Sequence, residues 1–468
     1  MQPTSQLRRI WWALPVLCVL ALTVFWPVLG LSAFSDDHSA LWNAGVRGTP
    51  WRTGIYRPLA DLSFRWGTVL LGPSAFGHRV FNVLVHGLNA FLLFALFMRL
   101  AKRNVLGNAN HGAWVAALLF MVYPFHQESI VWLVGRESAL GTFFTLIGLL
   151  AVANERIGWL QIVIASLALF AGLLSYEGTM LLPLLALPIL YSRSTGHTHT
   201  SRTLLGFGTV LVAFVAIHLA VGSQVENSYV GGLFTQHVTA YFTNIPKVVA
   251  RMFLPPAEDP ATMIKRSVVL GFVLLAIGAW VRSFIRKSEW TTANILFSTI
   301  ILLLIIAFIQ PALGGVSTRT SESDRYLYLP SVFLCMLAGL LVLSIPQRAA
   351  RMLVFGSLLI ASTLALRSNH ARWRSASATT TRILTELPEL SASGLLFVSG
   401  LPDNDHGAFI FRNGFREAVW LSGRDGERYI DVKDPKRSDS VLFRGKHFAV
   451  RPIDSWVNWE GDGFRASQ

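Results

Sequence analysis

Residues 10–43, IWWALPVLCVLALTVFWPVLGLSAFSDDHSALWN, decide the class of fold. The part from Ile10 to Leu31 is apolar almost without interruption, and it is long enough to cross a bilayer as a helix. It is too long for the core of a cleavable signal peptide and no Ala-x-Ala-like site follows it, so we predict a retained first membrane helix. Two carboxylates, Asp36 and Asp37, follow where the chain leaves the membrane.

The composition of the whole chain supports a membrane protein with many spans. Of its 468 residues, 53% are hydrophobic and 14% are charged, whereas a soluble domain has roughly 25% charged residues. The cysteines, Cys18 and Cys335, lie inside apolar runs, which excludes a disulfide framework or a cysteine metal site outside the membrane. We predict an all-α polytopic membrane protein with about eleven transmembrane helices. The apolar runs lie near residues 10–31, 78–100, 111–124, 137–153, 158–174, 178–192, 203–221, 267–284, 293–310, 326–345 and 350–366.

The formal net charge of +14 is also explained by a membrane location. Lys and Arg collect in cytoplasmic loops and near lipid phosphates, so we expect no nucleic-acid partner. If the spans alternate, the basic residues of the short loops fall on one side, which the positive-inside rule makes the cytoplasm. These residues are Arg8, Arg9, Lys102, Arg103, Arg193, Arg202, Arg282, Arg286, Lys287, Arg348 and Arg351.

Polar motifs gather on the other, outer side of the membrane. This side receives the segments 32–77, 125–136, 175–177, 222–266, 311–325 and 367–468. Hydropathy does not require polar motifs to share one face, and ionisable groups at membrane depth are costly, so they indicate a functional site. The ionisable residues of these motifs are Asp36, Asp37, His126, Glu128, Arg136, Glu137, Glu177, Asp324 and Arg325.

Each motif also has a purely structural interpretation. Asp36 and Asp37 can cap a short outer helix, and His126 can be an ordinary interfacial residue. Arg136 and Glu137 can form a local ion pair. Arg325, followed by Tyr326 and Tyr328, is also typical of an interfacial aromatic belt.

Six stretches, in this order, resemble the membrane-embedded glycosyltransferases of the GT-C class. The similarity is greatest to the O-mannosyltransferase-like family that carries tetratricopeptide repeats, and it covers roughly residues 30–380. The stretches are SDDHSALWN (35–43), YRPLADLSF (56–64), FGHRVFNVLVHGLNAFLLF (76–94), AALLFMVYPFHQESIVWLVGRES (116–138), SYEGT (175–179) and SDRYLYLPS (323–331).

The sequence departs from the family's patterns in several places. Tyr123 replaces the first histidine of His-Pro-x-His-x-Glu, and Tyr176 replaces the lysine of Ser-Lys-Glu. Glu137 and Ser138 replace the Lys-Asp of Gly-Arg-Lys-Asp. The tetratricopeptide repeats are absent from the sequence, so the substrate of the repeat-bearing members is not carried over.

The resemblance implies transfer of a monosaccharide from a polyprenyl-phosphate carrier to an acceptor hydroxyl on the outer face, with inversion. No P-loop or dinucleotide-binding motif is present for a nucleotide sugar. An attacking hydroxyl needs a carboxylate base, and the resemblance implies Asp36 or Asp37, with Asp37 slightly favoured. Glu128 is the next candidate, either to orient the acceptor or to hold a metal.

The leaving phosphate needs Arg, Lys or a metal ion. The candidates for donor phosphate binding are Arg136, Arg325 and Arg57, and those for substrate binding are Tyr56, His126, Glu177, Tyr326 and Tyr328. A divalent cation is compatible with these residues but is not required by the sequence.

The acceptor is left open between a protein and a glycan or lipid of the cell envelope. We expect a multi-pass protein of a bacterial inner membrane, with its active site on the periplasmic side. The alternative is a transporter or flippase of lipid-linked sugars. Such a protein has charged sites near the midplane and usually an internal repeat, neither of which the sequence displays.

Two domains are predicted, a transmembrane catalytic domain over residues 1–384 and a small β-rich outer domain over 385–468. The tail contains the short β-type runs GLLFVSG, GAFIFRNG, AVWLSG and SVLFRGKHFAVRP between turn residues. Its LPDNDHG stretch either binds an ion or forms a turn. In the loop 222–266, VTAYFTNIPKVVARMF has the pattern of an amphipathic helix lying in the membrane interface.

Overall fold

The structure is a computed structural model. It describes residues 4–49, 56–103, 109–155, 157–192, 197–221, 238–286, 291–390, 394–432, 440–443, 446–449 and 454–466. Residues 222–237 of the predicted loop 222–266 and residues 50–55 of the loop 32–77 therefore lie outside the described residues.

Helices dominate the described chain, and each predicted apolar run contains one. By length and composition, six helical segments among the described residues are able to cross a membrane. The helices are α1 (Thr4–Leu29), α2 (Asp36–Ser39, continued by π-helical Ala40–Arg47), α3 (Pro58–Leu71), α4 (Ala75–Arg103), α5 (Ala109–Met121), α6 (Gln127–Ile130), α7 (Arg136–Val152), α8 (Trp159–Leu173), α9 (Leu182–Tyr191), α10 (His197–Ala220), α11 (Val238–Phe253), α12 (Pro260–Arg286), α13 (Thr291–Ala307), α14 (Ile309–Gly314), α15 (Tyr328–Leu343), α16 (Arg348–Glu386) and α17 (Phe415–Leu421).

Small residues allow the bundle helices to approach closely, as in other membrane bundles. A Cβ on Gly87 of α4 would lie 2.9 Å from the Cα of Cys18 in α1. A Cβ on Gly339 of α15 would lie 2.5 Å from the carbonyl oxygen of Gly112 in α5. These contacts bring α1, α4, α5 and α15 into one core.

The helix α16 continues well beyond the membrane. A helix of 39 residues is about 58 Å long, roughly twice the thickness of the hydrocarbon core. Its second half is buried against the outer segments, with Trp373 packed on Phe34 and Ser377 accepting a hydrogen bond from the N–H of Ser32. On the outer side of the membrane, basic residues directly after a span run against the positive-inside rule. The ones in question are Arg367, Arg372, Arg374 and Arg382, and all four lie in this extension of α16.

The C-terminal unit contains a small mixed sheet. Its strands are β1 (Leu396–Ser399), β2 (Asn404–Asp405), β3 (Ala408–Phe409), β4 (Tyr429–Val432), β5 (Ser440–Phe443), β6 (Lys446–Ala449), β7 (Ser455–Trp459) and β8 (Phe464–Ala466). The order of the main sheet is β4-β1-β7-β8, with β1 parallel to both neighbours and β7 antiparallel to β8. The stretch LPDNDHG contains β2, and its last two residues, His406 and Gly407, form the turn to β3.

One predicted strand in this unit is wrong. The AVWLSG run belongs to α17, which begins after Gly414 at φ 78°. A short apolar run does not by itself distinguish a buried strand from a buried helix. Ala418 and Val419 are buried on one face of α17, and Trp420 stacks on Trp42 of the first outer loop.

The predicted amphipathic helix corresponds to α11. Its outward side chains include Phe242 and Ile245, which are exposed, whereas Val248 and Met252 are buried. Arg251 is also buried, where it donates to the backbone carbonyls of Ser317 and Leu254 and forms an ion pair with Asp324. The helix is thus anchored to the outer end of α15 while it presents apolar side chains away from the bundle.

Candidate active site

A polar pocket of about 200 Å³ lies at the outer end of the bundle. We call it the outer pocket. Asp36 enters it from the start of α2, Arg325 from the turn before α15, and Trp132 from the segment between α6 and α7. Its remaining walls come from the turn before α15 and the C-terminal unit. The full lining is Ser35, Asp36, Trp132, Glu322, Ser323, Arg325, Phe409, Arg412 and Asn413.

Arg325 is held in the outer pocket by Glu128. The carboxylate of Glu128 accepts the backbone N–H of Arg325 at 3.0 Å and also pairs with its guanidinium. The guanidinium lies 4.9 Å from the ring centre of Tyr326 and 5.5 Å from that of Trp132. Glu128 is almost fully buried, and a buried carboxylate needs such a partner. Glu128 therefore orients the cation that reaches the pocket.

The two aspartates of the first loop occupy different environments. Asp37 is fully buried, and its carboxylate accepts the N–H of Phe34 at 3.1 Å and the N–H of Val134 at 3.0 Å. Burial raises the pKa of Asp37 to about 7, although these N–H groups and Arg79 oppose the rise. Asp36 is only partly buried and lines the outer pocket. Of the two aspartates, Asp36 lines the outer pocket and Asp37 does not.

A second polar cluster surrounds Arg57. Its guanidinium pairs with Glu137 and with both oxygens of Glu177, at 2.9 and 2.5 Å for the latter. The ring of Tyr176 lies 5.1 Å from the guanidinium, and its hydroxyl accepts a hydrogen bond of 2.7 Å from Gln310. Two carboxylates already compensate the charge of Arg57. Tyr176, where the related family has lysine, adds a ring to this cluster rather than a second cation.

Arg136 lies inside the bundle and lines neither of the two pockets that Arg325 borders. Its guanidinium stacks at 3.9 Å on Phe64 and donates to the carbonyls of Leu133 and His78. The neighbouring Glu137 pairs with Arg57. Arg136 therefore fixes the start of α7 against α3 and α4.

His126 and Tyr328 belong to a buried aromatic cluster. Their ring centres are 4.5 Å apart, and His126 Nε2 shares a 2.7 Å hydrogen bond with Ser331. The hydroxyl of Tyr328 is 2.8 Å from Nδ1 of His86. Tyr56, the remaining tyrosine candidate, packs edge-on against His218 of α10. None of these predicted substrate-binding residues lines the outer pocket.

A small cavity of about 10 Å³ lies on the inner side of Arg325. Hydroxyl groups surround it, and Arg325 borders both this cavity and the outer pocket. The lining is Ser138, Gly141, Thr142, Thr145, Tyr176, Gly178, Thr179, Gln310, Arg325 and Leu329. Arg325 thus separates the outer pocket from a hydroxyl-lined slot between the helices.

Sequence reasoning missed several residues that build the site. Arg79 donates to the carbonyls of Leu29, Leu31 and Ser32 and to that of Val131, so it fixes the first outer loop against the α6–α7 segment. Its signal is a polar stripe on the otherwise apolar α4. The stripe consists of Arg79, Asn82, His86 and Asn89, which are all buried. No local signal distinguished Arg412 from the other arginines of the tail.

The described part of the chain has no group of three or more His, Cys, Asp or Glu side chains arranged to hold a metal ion. The Nε1 atom of Trp132 is buried without a hydrogen-bond partner among the described residues. Among the described residues, no other residue that lines the outer pocket has a buried side-chain nitrogen or oxygen without a hydrogen-bond partner. An unpaired buried donor is costly.

Two solved structures are similar to this chain over most of its length. ArnT from Cupriavidus metallidurans in the apo state has a TM-score of 0.51 and 14% identity, over 89% of this chain and 88% of that one. The oligosaccharyltransferase of Archaeoglobus fulgidus has a TM-score of 0.51 and 10% identity, over 90% of this chain and 62% of that one. The chain has the GT-C fold. The fold expected from the sequence is confirmed.

In sequence, this GT-C chain is similar to curated protein O-mannosyl-transferases. It is 23% identical over 329 residues to one from Caenorhabditis elegans, covering 66% of this chain and 45% of that protein. It is 30% identical over 152 residues to Tmtc3 of Drosophila melanogaster, covering 27% and 16%. The chain spans less than half the length of these curated relatives. No family model matches the chain.

Proposed function

We propose that this GT-C chain is a glycosyltransferase that moves a monosaccharide from a polyprenyl-phosphate carrier to an acceptor hydroxyl at its outer end. The observation that carries the proposal is that Asp36 and Arg325 line the same outer pocket. The similarity to protein O-mannosyl-transferases supports the same reaction class. Sugar transfer from a phosphate needs a base that accepts the proton of the acceptor hydroxyl. It also needs a cation that stabilises the charge on the leaving phosphate.

The reaction is a single displacement. The acceptor oxygen attacks the anomeric carbon, its proton passes to the Asp36 carboxylate, and the bond between the anomeric carbon and the phosphate oxygen breaks. The bonding electrons leave with the polyprenyl phosphate, whose added negative charge Arg325 stabilises. Attack from the side opposite the leaving group inverts the anomeric centre.

The surroundings of the arginines support the choice of Arg325 for the phosphate. Arg57 is bound by two carboxylates, and Arg136 is buried beneath Phe64. Arg325 pairs with Glu128 and has a partly exposed side chain that borders the pocket. An arginine fork is also well suited to two oxygens of one phosphate.

The proposal also covers the class of acceptor and the side of the membrane on which transfer takes place. The similarity to protein O-mannosyl-transferases favours a protein hydroxyl as the acceptor and mannose as the sugar. A cell-envelope glycan or lipid is the other acceptor to test. The distribution of basic loops favours an extracytoplasmic site, in a bacterial inner membrane if the source is bacterial.

The experiment uses the full-length protein in detergent with a panel of polyprenyl-phosphate monosaccharides. Acceptors are serine- and threonine-containing peptides and an envelope extract from the source cell. Release of polyprenyl phosphate is followed by mass spectrometry for wild type, for Asp36→Asn and for Asp462→Asn, an exposed control residue of the C-terminal unit.

We expect release from one donor by the wild type and the control. Loss of the general base lowers the rate by about 10²–10⁴-fold in Asp36→Asn. Equal rates in Asp36→Asn and wild type would show that Asp36 is not the base. If no donor is consumed with any acceptor, the proposed function is wrong.

A further inference from the structure

The C-terminal unit contributes a wall of the outer pocket. Phe409, Arg412 and Asn413 all line it, opposite the start of α2 and the turn before α15. Phe409 lies 5.0 Å from the ring of Trp132, so this wall continues into the bundle. These residues follow the stretch, roughly residues 30–380, over which the sequence resembles the glycosyltransferase family.

We infer that Arg412 provides the second cation for the phosphate of the polyprenyl carrier, so that the C-terminal unit completes the active site. The inference rests on the proposed function. It assigns binding of the donor phosphate to a residue of the tail, whereas the sequence analysis assigned that role to Arg57 and Arg136.

The charges in the outer pocket call for a second cation. Asp36 and Glu322 bring two carboxylates, while Arg325 and Arg412 bring two guanidinium groups. Glu128 already neutralises Arg325 from inside the bundle. Transfer converts a phosphate diester with one negative charge into a monoester that gains a second charge. Arg412 is the other guanidinium of the pocket lining, so its N–H groups are placed to bind the oxygens that gain this charge.

The side chain of Arg412 remains able to bind a ligand. It pairs through one nitrogen with Glu322 at the rim, and nearly half of its side chain is exposed. A guanidinium has five N–H donors, so a bond to Glu322 leaves others for phosphate oxygens. The hydrogen bond from Arg412 to Glu322 raises the pKa of Arg412, and the charges of Glu322 and Asp36 contribute to the same rise.

The backbone beside Arg412 is tied to the residue that precedes Asp36. The N–H of Ser35 donates to the carbonyl of Ile410 at 2.8 Å, and the N–H of Asn413 donates to the Ser35 hydroxyl at 3.2 Å. Ser35 has φ 47°, a conformation that is costly for a residue other than glycine. Two hydrogen bonds from one short segment maintain it, which fixes the position of Arg412 relative to Asp36.

The test measures binding of undecaprenyl phosphate to the full-length protein in nanodiscs, with undecaprenol as the matched lipid without phosphate. The variants are Arg412→Gln, Arg412→Lys and the control Arg465→Gln. Arg465 lies on β8, forms its own ion pairs with Glu460 and Asp462, and does not line the outer pocket. Inorganic phosphate is added as a competitor to distinguish recognition of the head group from recognition of the whole lipid.

We expect Arg412→Gln to weaken binding of undecaprenyl phosphate about tenfold, the effect of losing one charge-assisted hydrogen bond. Binding of undecaprenol should be unchanged. Arg412→Lys should recover part of the affinity, and Arg465→Gln should match wild type. Equal affinities in Arg412→Gln and wild type would overturn the inference. An equal loss for both lipids would also overturn it, because Arg412 would then act on packing rather than on phosphate.

The same samples separate this inference from the proposed function. If the wild type binds undecaprenyl phosphate and transfers sugar while Arg412→Gln does both equally well, only the role of Arg412 is wrong. If the wild type neither binds the lipid phosphate nor consumes any donor, the proposed function is wrong and the inference is overturned with it.

Discussion

Glu128 binds Arg325 through both the backbone N–H and the guanidinium of that arginine. The two residues are far apart in sequence, one in α6 and the other in the turn before α15. Their contact places a cation in the outer pocket and at the same time neutralises a carboxylate that is almost fully buried. The pair is thus both a structural bond between two segments and part of the candidate active site.

We predict that Glu128→Gln lowers both stability and transfer. The amide retains one acceptor oxygen, but its NH₂ group faces the N–H donors of Arg325 and no longer offers that cation the negative charge of Glu128. Loss of one partner of a buried pair costs roughly 3–5 kcal/mol, and less here because Arg325 is partly exposed. Thermal unfolding and donor turnover are measured together. Glu386→Gln, from an exposed ion pair, is the control, and equal behaviour of the two variants contradicts the prediction.

Asp37→Asn should reduce stability more than Asp36→Asn does. In Asp37, both oxygens accept backbone N–H groups, whereas an amide has one acceptor oxygen and would direct its NH₂ at one of these donors. An unsatisfied buried group costs about 1–3 kcal/mol. Thermal unfolding should therefore shift clearly for Asp37→Asn and little for Asp36→Asn. The reverse order would contradict the separate roles assigned to the two aspartates.

The raised pKa of Asp37 predicts a pH dependence of stability. Its pKa is about 7 in the folded protein and about 3.9 in an unfolded chain, so the folded state retains the proton over this range. The contribution of Asp37 to the free energy of unfolding is therefore full below about pH 4 and decreases as the pH rises towards 7. Asn does not titrate, so the stability difference between wild type and Asp37→Asn should change across this window. Parallel profiles for the two proteins would show that Asp37 is ionised throughout.

Arg57→Gln should destabilise the protein more than Glu177→Gln. Removal of the arginine leaves Glu137 and Glu177 without their shared counter-charge, whereas removal of Glu177 still leaves Arg57 paired with Glu137. Combining Arg57→Gln with Glu177→Gln should recover part of the stability, because it removes one of the two like charges. Thermal unfolding of the three variants measures this coupling, and additive effects would contradict it.

Gly414→Ala should impair sugar transfer more than Gly423→Ala. Both glycines have positive φ, 78° and 84°, so alanine strains the backbone at either position. A Cβ on Gly414 would lie 2.3 Å from the carbonyl oxygen of Ser35, whereas a Cβ on Gly423 meets nothing within 4 Å. Only the first substitution should displace the start of α2 and Asp36. Donor turnover is compared after matching the amount of folded protein, and equal losses would contradict a role for this contact.

Local sequence patterns are sufficient for much of the fold. A continuous apolar run such as Ile10 to Leu31 forms a helix in a bilayer because lipid offers no partners for free backbone groups. For the same reason, each predicted run contains a helix in the structure. In the tail, AVWLSG was assigned to the wrong element, because a run of that length has no periodicity that separates strand from helix.

The site depended on information that no local pattern contains. The sequence by itself determined the membrane class, the positions of the helices and the set of polar motifs at the outer end. Only the tertiary structure decided that Asp37 is buried against Val134 while Asp36 lines the outer pocket. It also decided that Arg57 is bound by two carboxylates and that Arg412 of the tail reaches the pocket. The reason is physical: hydropathy acts on each segment separately, whereas the environment of a side chain depends on which distant segments pack against it.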